Sequence, residues 1–315
     1  MEHRAYPKIP TTLASTGLGP STTWVATEKV HGAQLVVATD GDLVRFGKRK
    51  AWLGDDEPFF AWQLLRRDLE AAARALYKAR GASTVVRLYG EISGGGYPHV
   101  DVPAVPGLSP VQTGIWYSPG IHFMLFDVLI DDEGEGVFLA HREVERLAIV
   151  AGLRTPPLVH RGSRAEVDAL PVRFASLVPR GLGLPAIEGN VAEGLVLKPD
   201  VETRPSMRPV VKRKIADFDE ARFDESAPFD SGAALDLQAL TELGGRLLNP
   251  ARLASARSKV GEVDVSALVD EVVLDVLVDL EATFPRAMGD LGAEKEEALR
   301  AALARRASGV RSGGS

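Results

Sequence analysis

Residues 22–48 read TTWVATEKVHGAQLVVATDGDLVRFGK. Their β-branched and apolar runs predict strands at Thr22–Val30, Ala33–Thr39 and Leu43–Lys48. Asp40-Gly41, between the second and third, is a hairpin signal because both residues tolerate positive φ, so antiparallel pairing is expected here. The first strand closes on Lys29, with His31 and Gly32 close behind. Partial burial beside other cations makes such an amine less basic and a better nucleophile, and Gly32 lets a ligand approach the backbone. Taken alone, a Lys and a Gly after a strand also describe an ordinary hairpin exit.

Similar runs predict strands at Thr84–Ile92, His122–Ile130, Gly194–Lys198 and Val210–Ile215. Helical periodicity runs from Phe59 to Ala79, with Phe60, Leu64, Leu65, Leu69, Ala72, Ala73 and Leu76 on one stripe, Pro58 in the first turn and Gly81 at the end. Further helices are expected over His141–Ala151 and after Ser163, whose spacing to Glu166 is that of a capping box. Beyond about residue 225 strand signals stop. The rest reads as helices broken at Gly244-Gly245, Asn249-Pro250, Gly261 and Gly289, with Asp264 a candidate cap. The linker-like stretch Ala227–Gly232 puts a domain boundary there. The expected fold class is α+β: an N-terminal domain with antiparallel sheets over residues 1–226, a small all-helical C-terminal domain over 227–307, and a disordered tail over 308–315.

Composition narrows the chemistry. The chain has 315 residues, 45% hydrophobic and 25% charged, with no Cys. A disulfide framework, a thiolate zinc site, an Fe–S cluster and a Cys nucleophile are therefore excluded. The six His show no pair at zinc-hydrolase spacing. No leader pattern and no apolar run of membrane-spanning length is visible, so a cytoplasmic protein without membrane partners is expected. The 37 Lys and Arg against 43 Asp and Glu give a net charge of −6. Basic residues nevertheless cluster at Arg45, Lys48, Arg49 and Lys50, at Lys212–Lys214, and from Arg246 through Arg252 and Arg257 to Lys259. Global acidity thus leaves room for a local basic groove.

Four more segments join Glu28-Lys29-Val30-His31-Gly32 in order along the chain. Leu88-Tyr89-Gly90-Glu91 ends a strand in a carboxylate. Phe123-Met124-Leu125-Phe126-Asp127 puts an aromatic and an acid on opposite strand faces. Glu193-Gly194-Leu195-Val196-Leu197-Lys198 opens on an acid and ends on a Lys. Val210-Val211-Lys212-Arg213-Lys214 places two Lys on one face, where both can reach one phosphate. Together these five resemble the motifs of the covalent nucleotidyltransferases, the superfamily of polynucleotide ligases and mRNA capping enzymes. His31 before Gly32 further resembles the RNA ligase 2 family, which includes the phage double-strand-type RNA ligase and the kinetoplastid RNA-editing ligases. The motifs span roughly residues 22–220. The likeness extends to Arg252 and to Ser258-Lys259-Val260-Gly261-Glu262 in the helical part, while Gly96–His99 through Tyr117–His122 look more like the editing ligases.

The resemblance implies an ATP-grasp-like adenylation domain and an ATP-dependent RNA ligase. Lys29 would attack the α-phosphate of ATP to form lysyl-AMP. AMP would pass to an RNA 5′-phosphate, and a 3′-OH would displace it. Lys212 and Lys214 would be fixed cations, with Mg²⁺ (or Mn²⁺) the mobile one and Glu193 its ligand. Glu91 and Arg49 would hold ribose and phosphate, Phe126 would stack on adenine, Glu28 would lie beside the base, and His31 would act at the phosphates. Lys198 also matches a nucleotide-binding motif, although a buried Asp127–Lys198 pair would equally be structural. Glu193 before Gly could end a loop, and Phe126 could be core. Gln34 stands where the family has Asn. Arg252 and Lys259, seven apart on one helix face, would meet RNA phosphates, most simply those of a nicked duplex. Enzymes that heal RNA ends are possible partners. Two other readings keep the same residues: a capping-type enzyme or DNA ligase, which normally append an OB-fold, and a catalytically silent nucleotide- or RNA-binding module.

Overall fold

A computed structural model of the chain describes residues 1–13, 17–131, 134–219, 229–260 and 265–312. Its strands are β1 (Trp24–Glu28), β2 (Ala33–Thr39), β3 (Val44–Lys48), β4 (Ala51–Trp52), β5 (Val86–Gly96), β6 (Ser118–Ile130), β7 (Val137–Phe138), β8 (Leu158–Gly162), β9 (Gly194–Pro199) and β10 (Val211–Lys214). They form two antiparallel sheets, one in the order β10-β9-β1-β8 and one in the order β4-β3-β2-β5-β6-β7. The expected β2–β3 hairpin is present, with Thr39 opposite Val44. The short strands β4, β7 and β8 were not among the sequence expectations.

The helices are α1 (Gln63–Arg80), α2 (His141–Val150), α3 (Arg164–Asp168), α4 (Val178–Gly181), α5 (Ala216–Asp219), α6 (Leu237–Leu247), α7 (Pro250–Val260), α8 (Val265–Thr283), α9 (Pro285–Gly289) and α10 (Gly292–Ser312). The antiparallel sheets and helices make the chain α+β. The Ser163 capping box forms, with Glu166 reaching back to the Ser163 N–H. Helix α1 starts later than its apolar stripe suggests, because Phe60 and Ala61 adopt left-handed backbone at φ 54° and 56°. No described helix is long and apolar enough to cross a membrane.

Two compact units divide the chain. The first comprises Met1–Leu53, Ala72–Pro103 and Pro110–Ala227. In it, Trp24, Ala26, Leu195, Leu197 and Val211 alternate inward from the four-stranded sheet to pack with Val167 of α3. Tyr6 lies against Val36, Tyr89, Leu129 and Phe138, on one face of the six-stranded sheet. The N-terminal residues therefore belong to the core of this unit.

The second unit comprises Pro228–Ser315 together with Gly54–Ala71 and Ala104–Ser109. A break at Ala227/Pro228 is close to the expected boundary, but the two upstream segments join the helices, which a linear division at residue 227 does not capture. Most of the linker-like stretch, from Phe229 on, is described; Ala227, Pro228, Gly261, Glu262 and Asp264 lie outside the described residues. Helix α6 runs unbroken through Gly244-Gly245. A Cβ on Gly244 would sit 2.8 Å from a Leu303 methyl and 3.2 Å from Val276, so this glycine permits close packing rather than a break. The expected disordered tail is also corrected: α10 continues to Ser312, beyond Ser308.

Arg252 requires a correction as well. It is buried in α7, and its guanidinium donates to Asp279 of α8 at 2.6 Å. Lys259 is partly exposed and bonds Glu271 and Asp275, while Arg67 reaches Asp275 at 2.8 Å. The two basic residues do share a helix face, as their spacing predicts. That face meets the acidic row Glu271, Asp275 and Asp279 of α8, whose own spacing of four aligns it. Arg252 thus ties two helices together instead of facing a duplex, since a buried guanidinium is retained only with a paired carboxylate.

Candidate active site

Within the first unit the chain crosses from β1 of one sheet to β2 of the other through Lys29–Gly32. The crossing is tight: a Cβ on Gly32 would lie 2.1 Å from the Ile92 carbonyl oxygen, so only glycine fits. The Lys29 N–H donates to the Gly194 carbonyl, and the Ile215 N–H donates to the Glu193 carbonyl. Three separate segments are thereby pinned together at the ends of β1, β9 and β10.

Glu193 is the centre of the resulting group. Lys29 Nζ lies 2.6 Å from its Oε2, Lys214 Nζ 2.7 Å from its Oε1, and His31 Nδ1 3.3 Å from Oε2. Burial alone would raise the Glu193 carboxyl pKa, but the His31 contact, the Lys29 charge and the Lys214 bond outweigh it and lower it to about 2. Glu193 is therefore an anion at any physiological pH. Lys212 precedes Lys214 by two on the same strand face; burial, then the charges of Lys214 and Lys29, lower its pKa, and Arg49 contributes in the same sense.

Glu91 belongs to the same neighbourhood. It sits opposite Gln34 in the β2–β5 register, and the Gly32 N–H donates to it. Burial pushes its carboxyl up to about 7, against the opposing charges of Lys29 and Arg49 and with the help of Glu193. Phe126 packs edge-on against Tyr6, their centroids 5.0 Å apart, in the cluster that includes Tyr89 and Val36. By alternation that is the sheet face carrying Glu91 and Gln34.

Two expected residues turn elsewhere. Glu28 is buried, with its carboxylate accepting from the Ser176 hydroxyl at 2.6 Å and the Leu177 N–H at 2.7 Å. Burial raises its pKa to about 7 in spite of these bonds. Lys198 is the clearer correction. Its Nζ bonds the Asp127 carboxylate at 2.7 Å and the Phe126 carbonyl at 2.6 Å, inside a buried cluster completed by Arg208 and Tyr6. Lys198 shares the sheet face of Lys212 and Lys214, which sit opposite Val196 and Gly194, but it lies farther along β9, where it meets Asp127. Lys198 is a structural partner of Asp127 here.

Sequence reasoning missed three residues around the site. Ser176 holds Glu28. Tyr117 accepts the His31 backbone N–H at 2.8 Å. Asn190 brackets the Trp116 peptide group, accepting from its N–H at 2.9 Å and donating to its carbonyl at 2.7 Å. All three lie outside regular strands and helices or at the edge of one, where no periodicity marks them.

The geometry is that of a partly exposed amine and further cations around a fixed carboxylate. The family model described as RNA ligase matches residues 22–214, a span that contains all of these groups. The chain belongs to the RNA ligase family. Among curated relatives, this RNA ligase family member is 34% identical over 200 residues to the mitochondrial RNA-editing ligase 2 of Trypanosoma brucei brucei (strain 927/4 GUTat10.1), covering 56% of this chain and 48% of that one. It is 31% identical over 237 residues to mitochondrial RNA-editing ligase 1 of Trypanosoma brucei brucei, covering 63% and 50% respectively. The chain thus spans about half the length of the curated relatives it matches. Among solved structures, a mutant of Naegleria gruberi RNA ligase with ATP and Mn aligns at 16% identity and a TM-score of 0.44, over 64% of this chain and 52% of that one.

Proposed function

We propose that this chain is an ATP-dependent RNA ligase that seals 3′-OH/5′-phosphate breaks through a lysyl-AMP intermediate on Lys29. The observation that carries the reading is the arrangement at Glu193: a partly exposed Lys29 amine 2.6 Å from the carboxylate, with Lys214 on its other oxygen. Family membership supports it, as does the naming of both curated relatives as RNA-editing ligases.

In this reading the Lys29 ammonium first gives a proton to solvent, and its nitrogen then forms the bond to the α-phosphorus of ATP as the bond to pyrophosphate breaks and pyrophosphate leaves. The ionised Glu193 holds the amine in place by accepting its hydrogen bond. Lys212, Lys214 and Arg49 offset the charge that develops on the phosphate oxygens. Preorganised cations are worth more than proton relays in such transfers, because little covalent chemistry is left for the protein to do. AMP then passes to an RNA 5′-phosphate, and the 3′-OH displaces it. His31 bears on the phosphates through its place beside Glu193, and Phe126 offers an aromatic face for adenine on the side of Glu91.

The residues fit a magnesium or manganese ion of the kind that such transfers use. Among the described residues no group of three or more His, Cys, Asp or Glu could hold an ion alone. One or two carboxylates completed by substrate phosphates and water are the usual set for Mg²⁺, and Glu193 supplies one. Bound there, the ion would neutralise phosphate charge.

A nick in duplex RNA is the proposed substrate, with RNA end-healing enzymes as partners. A cytoplasmic location is part of the same proposal. The test is a sealing panel with ATP: nicked duplex RNA, nicked DNA, hybrid nicks and single-stranded RNA. Preferential sealing of the RNA nick is expected. Sealing of the DNA nick alone, or use of GTP in place of ATP, would replace this reading with that of a DNA ligase or a capping-type enzyme.

A further inference from the structure

The long connection between β5 and β6 closes a circuit of contacts back onto the site. Asn190 lies three residues before Glu193, and both polar ends of its amide are bonded to the Trp116 peptide. The next residue, Tyr117, is buried, and its oxygen accepts the His31 N–H at 2.8 Å. His31 returns to Glu193 through Nδ1 at 3.3 Å. Below the imidazole, Phe218 packs edge-on with ring centroids 5.1 Å apart, in one apolar cluster with Val30, Ile115, Tyr117 and Ile215. Backbone and ring of His31 are thus each held by a different aromatic residue.

We infer that Tyr117 is a positioning residue for the adenylyl-transfer step, acting through His31 by fixing the backbone from which the imidazole meets Glu193. This rests on the function proposed above. A backbone N–H at a tight strand-to-strand crossing has no ladder partner of its own, so a buried side chain must satisfy it. Burial keeps the phenol protonated, with Glu28 adding to the effect, so its oxygen remains a neutral acceptor. Phenylalanine at 117 would keep the packing but lose the acceptor that this N–H uses. The crossing would then relax, and His31 would shift relative to Glu193.

The test compares the full-length parent, Tyr117→Phe, His31→Ala and the double variant, following single-turnover formation of the enzyme–AMP adduct. Tyr117→Phe should slow adduct formation about tenfold, the worth of one positioning hydrogen bond, with little change in the ATP concentration giving half-maximal rate. In the His31→Ala background the same change should add almost nothing. Losses that multiply in the double variant, or a parent-like rate in Tyr117→Phe, would overturn the inference. A readout independent of activity is the His31 ring resonance in histidine-labelled protein, assigned by its loss in His31→Ala. It should move in Tyr117→Phe while the melting temperature stays near the parent value. An unmoved resonance refutes the positioning role even if the parent forms no adduct, a result that would refute the function itself instead.

Discussion

Glu193 and Asp127 are buried carboxylates of the first unit that each hold two cations, and only Glu193 is proposed as a site. Glu193 holds Lys29 and Lys214, whose side chains are 20% and 22% exposed. Asp127 holds Lys198 and Arg208, which are 5% and 6% exposed, and accepts from the Tyr6 hydroxyl as well. Both carboxyl pKa values are lowered to about 2, against the effect of burial, by their cations and hydrogen bonds. The electrostatics are alike and the access is not. A cation sealed against its carboxylate braces strands; one that keeps a path to solvent can exchange its partner for a phosphate.

That contrast is open to attack by substitution. Lys29→Ala should abolish AMP attachment, a fall on the order of 10³-fold or more as for any lost nucleophile, while leaving the unfolding midpoint close to the parent. Adduct formation by Lys29→Ala at a comparable rate would move the nucleophile elsewhere.

Asp127→Ala should behave in the opposite way. With Lys198 and Arg208 left buried and unpaired, denaturant unfolding should show a loss of about 3–5 kcal/mol. If Asp127→Ala instead matched the parent in stability and lost only sealing, the two clusters would have to exchange roles.

Glu28→Gln probes a third buried carboxyl, one with hydrogen bonds but no cation. Its folded pKa of about 7 lies above the ordinary 4.5, so the folded state favours the protonated form. Its stabilising share is complete below pH 4.5 and is lost as pH rises through 7. Relative to the parent, Glu28→Gln should therefore gain stability between pH 5 and pH 8, by up to about 3 kcal/mol. An advantage that shrinks with rising pH would contradict the burial argument.

Asp127 has the reverse sign and the smallest effect. Its folded pKa is lowered from 3.8 to about 2, so its contribution is present above pH 3.8 and fades as pH falls through 2. The loss is roughly 2 kcal/mol, and it should disappear from the acid unfolding curve of Asp127→Asn.

Much of the site was readable from residue order. Lys29, Glu193 and Lys214 lie at or beside the ends of β1, β9 and β10, as the sequence order predicts, whereas Glu91 lies in the middle of β5, which runs on to Gly96. Lys198 shows the limit: it shares a sheet face with Lys212 and Lys214 but lies farther along β9 and finds Asp127, a partner that strand periodicity does not reveal. Tyr117, Ser176 and Asn190 escaped because their contacts link positions far apart in sequence through irregular segments. Arg252 and Lys259 were correctly placed on one helix face. Their partners on α8 depend on which helix packs there, and a single helix's periodicity does not say. The joining of Gly54–Ala71 and Ala104–Ser109 to the helical unit is likewise a matter of long-range packing.

The most direct trial of the account is to incubate the protein with ATP and magnesium, digest it, and locate any adenylyl group by peptide mass spectrometry. One group per chain, attached to the Lys29 side chain and discharged by pyrophosphate, is the predicted result. An adduct on another residue, or none while RNA nicks are still sealed, would contradict it.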